Sequence, residues 1–299
     1  MPTTRRRTFG KRRASARLLR GRTVGVIGLG QIGGSIVRRL SGFRNRLNLL
    51  GHDRDRRLAA RARRFCRWRA DIDDLISQSD VIIVAVPVPT SIALLALIAA
   101  SAAKRISGRL IVMDVGTVKA PVIREARRHR AAFDFVGLHP FAGTEKSGWK
   151  SAHEDLFVGR TIALCGPPRS AATAVASELI ALLDGVRWRV DAAAHDRLVA
   201  LSIGLPHVLA YAAAGMPEAA LLSEGPQAGS WPSLTRVAAS DAGMVAGFLS
   251  TNATVQRRMI KQFRRRLDLI DGLLRSHDVS MLEKTLKAWG RKTAHREPR

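Results

Sequence analysis

The sequence predicts an α/β domain built on a mostly parallel sheet, followed by an all-α C-terminal domain. Three observations predict it. From Thr23 to about Val190, short apolar runs alternate with stretches of helical character, the pattern of strands joined by crossover helices. A glycine-rich turn follows the first of those runs directly. From about Asp191 onward, apolar residues recur at helical spacing and strand signals are few.

Taken in order, residues 1–21 form a basic tail. Thr23–Gly28 (TVGVIG) is a buried-strand run, and Ile32–Leu40 continues from the glycine turn as a helix. Leu47–Asp53 is a second strand and Arg54–Phe65 an arginine-rich helix. Val81–Val86 and Leu110–Asp114 are a third and a fourth strand, Phe133–Leu138 a fifth, and Thr161–Cys165 a sixth. Helices are expected at His195–Ala214, Val237–Leu249, Thr254–Leu274 and Val279–Trp289. Gly225, Pro226, Gly229 and Pro232 make Ser223–Ser233 a loop. The expected organisation is therefore tail 1–21, α/β domain 22–191 and helical domain 192–299.

Val81–Ala103 is 23 residues without a charge, the length of a membrane span. Pro87 and Pro89 interrupt it, and strand, turn and a helix from about Thr90 fit better. No apolar stretch of the kind a secretory signal needs follows the basic N-terminus, so a cytoplasmic protein without a membrane partner is expected. The 299 residues suffice for a sizeable core, and 46% hydrophobic with 25% charged residues excludes wholesale disorder. Cys66 and Cys165 are the two cysteines; they exclude a disulfide scaffold and point to no metal site. The net charge of +26 suggests a polyanion partner. Against it, nine basic residues and no acid lie in the first 22, and the rest are scattered. Aromatic residues make up 5%, too few for a nucleic-acid stacking platform, so nucleic acid is not the expected ligand.

Gly28-Leu29-Gly30-Gln31-Ile32-Gly33 matches G-x-G-x-x-G. Alone the pattern is weak; here it follows a strand, opens a helix, and has Asp53 at the end of the next strand, 20 residues beyond Gly33. That combination is the dinucleotide-binding fingerprint of a Rossmann-like domain. Gly28 permits the tight turn, Gly30 lets the backbone approach the pyrophosphate, and Gly33 lets helix and strand pack closely. The helix N-terminus then offers N–H groups to the anion. A carboxylate at Asp53 accepts from the ribose hydroxyls and repels a 2′-phosphate, which favours NAD; Arg54, Arg56 and Arg57 beside it keep NADP open. Val86 and Pro87, closing the third strand, are counted with the cofactor contacts.

Two further motifs follow strands: Asp114-Val115-Gly116-Thr117-Val118-Lys119, and Gly137-Leu138-His139-Pro140-Phe141-Ala142-Gly143-Thr144-Glu145-Lys146-Ser147-Gly148. Ligands bind at the carboxyl ends of parallel strands, so both loops face the cofactor. His139 is the candidate general base; an ordinary histidine pKa near ~6.5 suits proton abstraction at neutral pH.

These strings, with G-L-G-Q-I-G-G-S, resemble the prephenate dehydrogenase family, which includes the arogenate dehydrogenases. His195-Asp196, Leu205-Pro206-His207 and Thr235-Arg236-Val237-Ala238-Ala239-Ser240-Asp241 follow in the family's order, so the resemblance runs from Thr23 to the C-terminal helices. It implies NAD-dependent oxidative decarboxylation of prephenate to 4-hydroxyphenylpyruvate, on the way to tyrosine. His139 would withdraw the proton of the C4 hydroxyl, and loss of carbon dioxide would aromatise the ring. Thr117, where the family often has serine, would bridge His139, the substrate and the nicotinamide. Arg236 would bind a substrate carboxylate, His207 would line the entrance, and Thr144 would add a polar substrate contact. The chain departs from the family at Ile203 and Gly204, where Ser-His is frequent, and at Ala242, Val245 and Gly247, where proline, tryptophan and aspartate are common. The helical domain carries more apolar surface than it can bury alone, so a homodimer is expected. Three alternatives stand beside this reading. One is arogenate as substrate, another is a basic Rossmann protein binding nucleic acid, and the third is another hydroxyacid dehydrogenase of similar architecture, which would more often rely on a lysine.

Overall fold

In the computed structural model, residues 17–103, 108–144, 146–223, 225 and 228–291 are described; most of the basic tail and Glu145 lie outside them. Eight strands form one sheet: β1 (Thr23–Ile27), β2 (Asn48–His52), β3 (Arg67–Trp68), β4 (Val81–Val84), β5 (Leu110–Asp114), β6 (Phe133–Pro140), β7 (Thr161–Cys165) and β8 (Val186–Arg189). Their order is β3-β2-β1-β4-β5-β6-β7-β8. Strands β1 to β6 pair in parallel, β7 runs antiparallel to β6, and β8 is parallel to β7. The first six reproduce the doubly wound dinucleotide-binding order, with its switch point between β1 and β4.

Alternation along the strands feeds two apolar layers. Val81 and Ile83 face one way, with α1 (Gln31–Ser41) and α6 (Ala171–Leu182) contributing Ile36, Val37, Leu40, Val175 and Leu179. Ile82 and Val84 face the other, covered by α3 (Ile72–Gln78), α4 (Val88–Ala102) and α5 (Ala120–Arg128). Strands buried on both faces explain why β4 reads as the unbroken run VIIV. Asp71 and Ser170 cap α3 and α6 through side-chain oxygens.

Several elements differ from the sequence expectation. Residues 54–65 are not one helix but a 3₁₀ turn, Arg56–Leu58, and a single turn, α2 (Ala59–Ala62); the segment buries only Ala62, which is too little apolar surface to hold a longer helix. The two-residue strand β3 and the half-exposed β8 lack apolar runs and went unpredicted. Strand β6 continues to Pro140, so His139 is a strand residue, paired across to Ala163. Within the expected loop 223–233, the last residues begin a short helix, α9 (Ser230–Thr235). The expected helix 237–249 is broken at Ser240: a 3₁₀ turn, Arg236–Ala239, precedes α10 (Ala242–Thr251), which Asp241 caps through Met244 N–H.

Helices α7 (Ala192–Val199) and α8 (Leu205–Ala214) are joined by a π-helical segment, Ala200–Gly204. Pro206 has no N–H to close an α-turn, and the wide turn just before it accommodates that loss. The continuous helix 192–214 is long and apolar enough to cross a membrane, but its His195 and Asp196 are buried in hydrogen bonds within the fold. Helix α10 lies on α4: Val245 and Phe248 join the second apolar layer, and a Cβ on Gly247 would stand 3.2 Å from Pro89. The departures at 245 and 247 are therefore packing residues. Contacts divide the chain into two compact units, Met1–Asn252 and Ala253–Arg299. The second holds α11 (Ala253–Arg275) and α12 (Val279–Gly290), packed on each other.

Candidate active site

The glycine loop and the end of β4 meet at the switch point. Gly28 has φ +89°, and a Cβ there would lie 2.5 Å from Ala85 O and 2.7 Å from Val86 Cγ1. Val86 and the exposed Pro87, which leads into α4, thus flank the loop. A Cβ on Gly33 would come within 1.9 Å of Gly28 O, so the first turn of α1 presses against the loop. Around Gly30 no atom lies within 4 Å of the Cβ position. No side chain caps α1. One open glycine between two crowded ones, with uncapped helix N–H groups beyond it, fits a pyrophosphate. Gly33→Ala is expected to destabilise the chain by roughly 1–3 kcal/mol, because the obstacle is backbone that no rotamer change removes; urea unfolding measures it.

Asp53 accepts two backbone hydrogen bonds, one of them from the glycine loop. Its Oδ2 accepts from Leu29 N–H at 2.7 Å, and its Oδ1 accepts from Asp55 N–H at 2.9 Å. The carboxylate ties the end of β2 to the glycine loop while remaining half-buried. Gln31 and Thr144 bond each other. Gln31 Nε2 donates to Thr144 Oγ1 at 3.0 Å, and Thr144 N–H donates to Gln31 Oε1 at 3.1 Å. Leu29 is fully buried and Ile32 packs on the first layer. The loop after β6 is thereby anchored to the start of α1.

Where β5 and β6 end, a buried polar cluster lies beneath His139. Lys119 Nζ, on a side chain with no exposure, donates to Asp114 Oδ2 at 2.5 Å and to Leu138 O at 2.7 Å. Gly116 N–H reaches the same Asp114 oxygen. Burial pushes the Asp114 carboxyl above its ordinary pKa, and the Lys119 ammonium opposes that shift. His139 Nδ1 lies 2.9 Å from His195 Nε2, and His195 Nδ1 lies 2.8 Å from Asp196 Oδ1. Asp196 also accepts the N–H groups of Lys119 and Ala120, each at 2.8 Å, at the start of α5. The Phe141 ring, 4.6 Å from that of His139, walls one side. His139 is 6% exposed. Burial first, with the nearby Lys119 ammonium adding to it, holds its pKa well below the usual histidine value. This corrects the expectation of an ordinary pKa: burial keeps His139 unprotonated at neutral pH.

Thr117 is half-buried on the loop between Asp114 and Lys119, and no hydrogen bond joins it to His139 among the described residues. His207 donates Nδ1–H to Ile203 O at 2.8 Å and sets its ring edge-on to Phe248, 5.4 Å between centroids. Arg236 is exposed on the turn that packs against α8, and Tyr211 of α8 donates to Ser240 O at 2.8 Å to hold that turn. The sequence reading missed Asp114, Lys119, His195 and Asp196 as site residues. The first two bracket the D-V-G-T-V-K string and the other two had already been quoted as a pair, so polar residues at strand and helix ends were the signal. A cavity of about 460 Å³ lies beside Phe133, Arg127, Arg130 and Pro167 at the start of β6, the opposite end of that strand from His139. Among the described residues no group of three or more His, Cys, Asp or Glu could hold a metal. Both cysteines are buried and burial raises their pKa values, to about 11 for Cys66 and about 12 for Cys165.

A doubly wound sheet, a pyrophosphate-shaped glycine turn and a buried, unprotonated histidine at the adjacent strand end define a dinucleotide-dependent oxidoreductase. Residues 35–190 match the family model "Prephenate dehydrogenase, nucleotide-binding domain", and residues 191–288 match "Prephenate dehydrogenase, dimerization domain". The chain belongs to the prephenate dehydrogenase family. It is 28% identical over 250 residues to cyclohexadienyl dehydrogenase of Zymomonas mobilis, covering 80% of this chain and 84% of that protein. It is also 28% identical over 269 residues to prephenate dehydrogenase of Lactococcus lactis, covering 86% and 73%. Among solved structures, prephenate dehydrogenase from Aquifex aeolicus with hydroxyphenyl propionate and NAD+ superposes with a TM-score of 0.79 at 23% identity, over 91% of this chain and 97% of the other. Synechocystis arogenate dehydrogenase superposes at 0.71 and 23%, over 91% and 99%. At these identities the two structures speak for the fold.

Proposed function

We propose that this chain oxidises prephenate to 4-hydroxyphenylpyruvate with loss of carbon dioxide, using NAD. The single observation that carries the reading is the unprotonated, buried His139 at the end of β6, in a chain of this family. NAD, when bound, supplies the oxidant for C4 of the ring. Gly28, Gly30 and Gly33 receive its pyrophosphate at the start of α1, Asp53 takes a ribose hydroxyl while holding Leu29 N–H, the buried Leu29 backs the loop, and Gln31, Ile32, Val86 and Pro87 line the cofactor. His139 accepts the C4 hydroxyl proton, and Thr117 contacts the same hydroxyl. Arg236 binds a carboxylate, with His207 and Thr144 completing the substrate contacts. Residues 22–191 hold the cofactor and 192–299 the substrate closure and the dimer contact, in the cytoplasm. The test is purified chain with NAD or NADP, offered prephenate or arogenate, followed by absorbance of the reduced nicotinamide. Turnover of prephenate with NAD is expected; turnover of arogenate alone would move the substrate to that relative's.

Arg236→Ala is expected to raise KM for prephenate about 10–150-fold, the equivalent of roughly 1.5–3 kcal/mol for a charge-assisted hydrogen bond, with a smaller change in kcat. Steady-state kinetics decides it, and an unchanged KM refutes the assignment.

The second family match and exposed apolar side chains support a homodimer. Leu267, Leu274, Val279 and Leu286 on α11 and α12 are 49–75% exposed, and α12 has no buried residue. Sedimentation of the full chain, and of a chain starting at Gly21, is expected to give a dimer at micromolar concentration in both. A monomer in either contradicts it.

A further inference from the structure

Resting on that reading, we infer that His195, held by Asp196, is a positioning residue that sets the tautomer of His139. Asp196 is 2% exposed and accepts two backbone N–H groups at the start of α5. With each oxygen already accepting a backbone N–H, the Asp196 side chain is the acceptor toward His195. The proton between Asp196 Oδ1 and His195 Nδ1, 2.8 Å apart, therefore resides on the histidine. His195 has no exposure, and a second proton there would bury an imidazolium whose one bonded carboxylate among the described residues is Asp196. Neutral His195 presents Nε2 as an acceptor. The 2.9 Å contact with His139 Nδ1 is then a bond that His139 donates. What remains on His139 is the Nε2 lone pair, which has no hydrogen-bond partner among the described residues. The chain Asp196–His195–His139 thus delivers one lone pair to the site. Proton uptake at Nε2 leaves a cation whose Nδ1–H is already bonded toward the Asp196 carboxylate. The charged groups that face the pair are Asp114, Lys119 and Asp196. A second turn of support comes from Asn252, whose Nδ2 donates to Asp196 O at 3.0 Å.

The test uses the full chain and two readouts. Nitrogen-15 spectra of the histidine rings, assigned with His139→Asn and His195→Gln, are expected to show His139 protonated at Nδ1 and bare at Nε2 at neutral pH. His139 carrying its proton on Nε2 overturns the inference. The second readout is kinetic. His195→Leu removes the acceptor and is expected to lower kcat about 10²–10⁴-fold with KM for prephenate within threefold, and to shift the His139 proton to Nε2. His195→Gln can place its amide oxygen where Nε2 stood. It is expected to restore the Nδ1–H form and at least tenfold of the lost kcat. Equal losses in Leu and Gln variants that melt like the unaltered chain would reduce His195 to packing and overturn the inference. Should the leucine variant not fold, the spectra of the unaltered chain and the glutamine variant decide alone. The spectra need no substrate, so inactivity toward prephenate with the Nδ1–H form present would count against the proposed reaction and not against the tautomer.

Discussion

His139→Asn is expected to lower kcat by ~10²–10⁴-fold with little change in KM, because a proton acceptor contributes mainly in the transition state. Single-turnover and steady-state rates with NAD and prephenate measure it; a variant with unaltered kcat removes His139 from the chemistry. The pH dependence carries a second signature. Burial and the neighbouring Lys119 ammonium hold the folded pKa of His139 well below 6.5, so the acid limb of kcat/KM for the unaltered chain falls well below pH 6.5. The same shift affects stability with a definite sign. Below about pH 6.5 the unfolded chain takes up a proton at this residue while the folded chain does not. Stability contributed by neutral His139 is complete above that pH and declines as pH falls toward the folded value. His139→Asn flattens that part of the melting-temperature profile.

Lys119→Met is expected to cost about 3–5 kcal/mol, the typical penalty for removing one partner of a buried ion pair. Both side chains of the Lys119–Asp114 pair have zero exposure. Methionine keeps the length of the aliphatic stem but leaves Asp114 uncompensated and Leu138 O without its Nζ donor. The deficit depends on pH. Burial already raises the Asp114 pKa and Lys119 opposes the rise; without the ammonium it rises further. A carboxyl whose folded pKa is raised binds a proton more readily folded than unfolded, so its penalty grows as pH rises and shrinks as pH falls. Urea unfolding at several pH values is expected to show the variant closest to the unaltered chain at the acid end. A deficit below 1 kcal/mol at pH 7 would mean that Asp114 is not left as an uncompensated buried charge.

The two variants probe one device from opposite sides. Lys119 and Asp114 place a paired charge under the end of β6, and Asp196 bonds the N–H groups that start α5 while holding His195. Local structure and site chemistry share the same atoms. A change intended for stability at residue 119 therefore also moves the backbone that Asp196 grips. Reading kcat and unfolding together for both variants separates a lost base from a lost scaffold.

Much of this protein is set by the chain order of its residues. Unbroken apolar runs such as VIIV and LIVMD demand burial on both faces, and only a covered parallel sheet supplies it. The glycine fingerprint with Asp53, and the strings around Thr117 and His139, are local: turn geometry and strand ends need only neighbours in sequence. Length-limited elements were not legible, because α2, β3 and β8 bury too little of their own to leave a period. Pro206 was visible, yet its consequence, the π-turn at Ala200–Gly204, depends on α7 and α8 remaining one helix. Tertiary structure alone decided the company of His139. His195 and Asp196 lie 56 and 57 positions away in sequence, and Asp114 and Lys119 belong to a different strand and loop. A histidine's sequence neighbours do not reveal whether it is desolvated, what bonds its Nδ1, or which nitrogen keeps the lone pair. Those properties arise from burial and from hydrogen bonds across the fold, and they exist only once β5, β6, α5 and α7 have packed together.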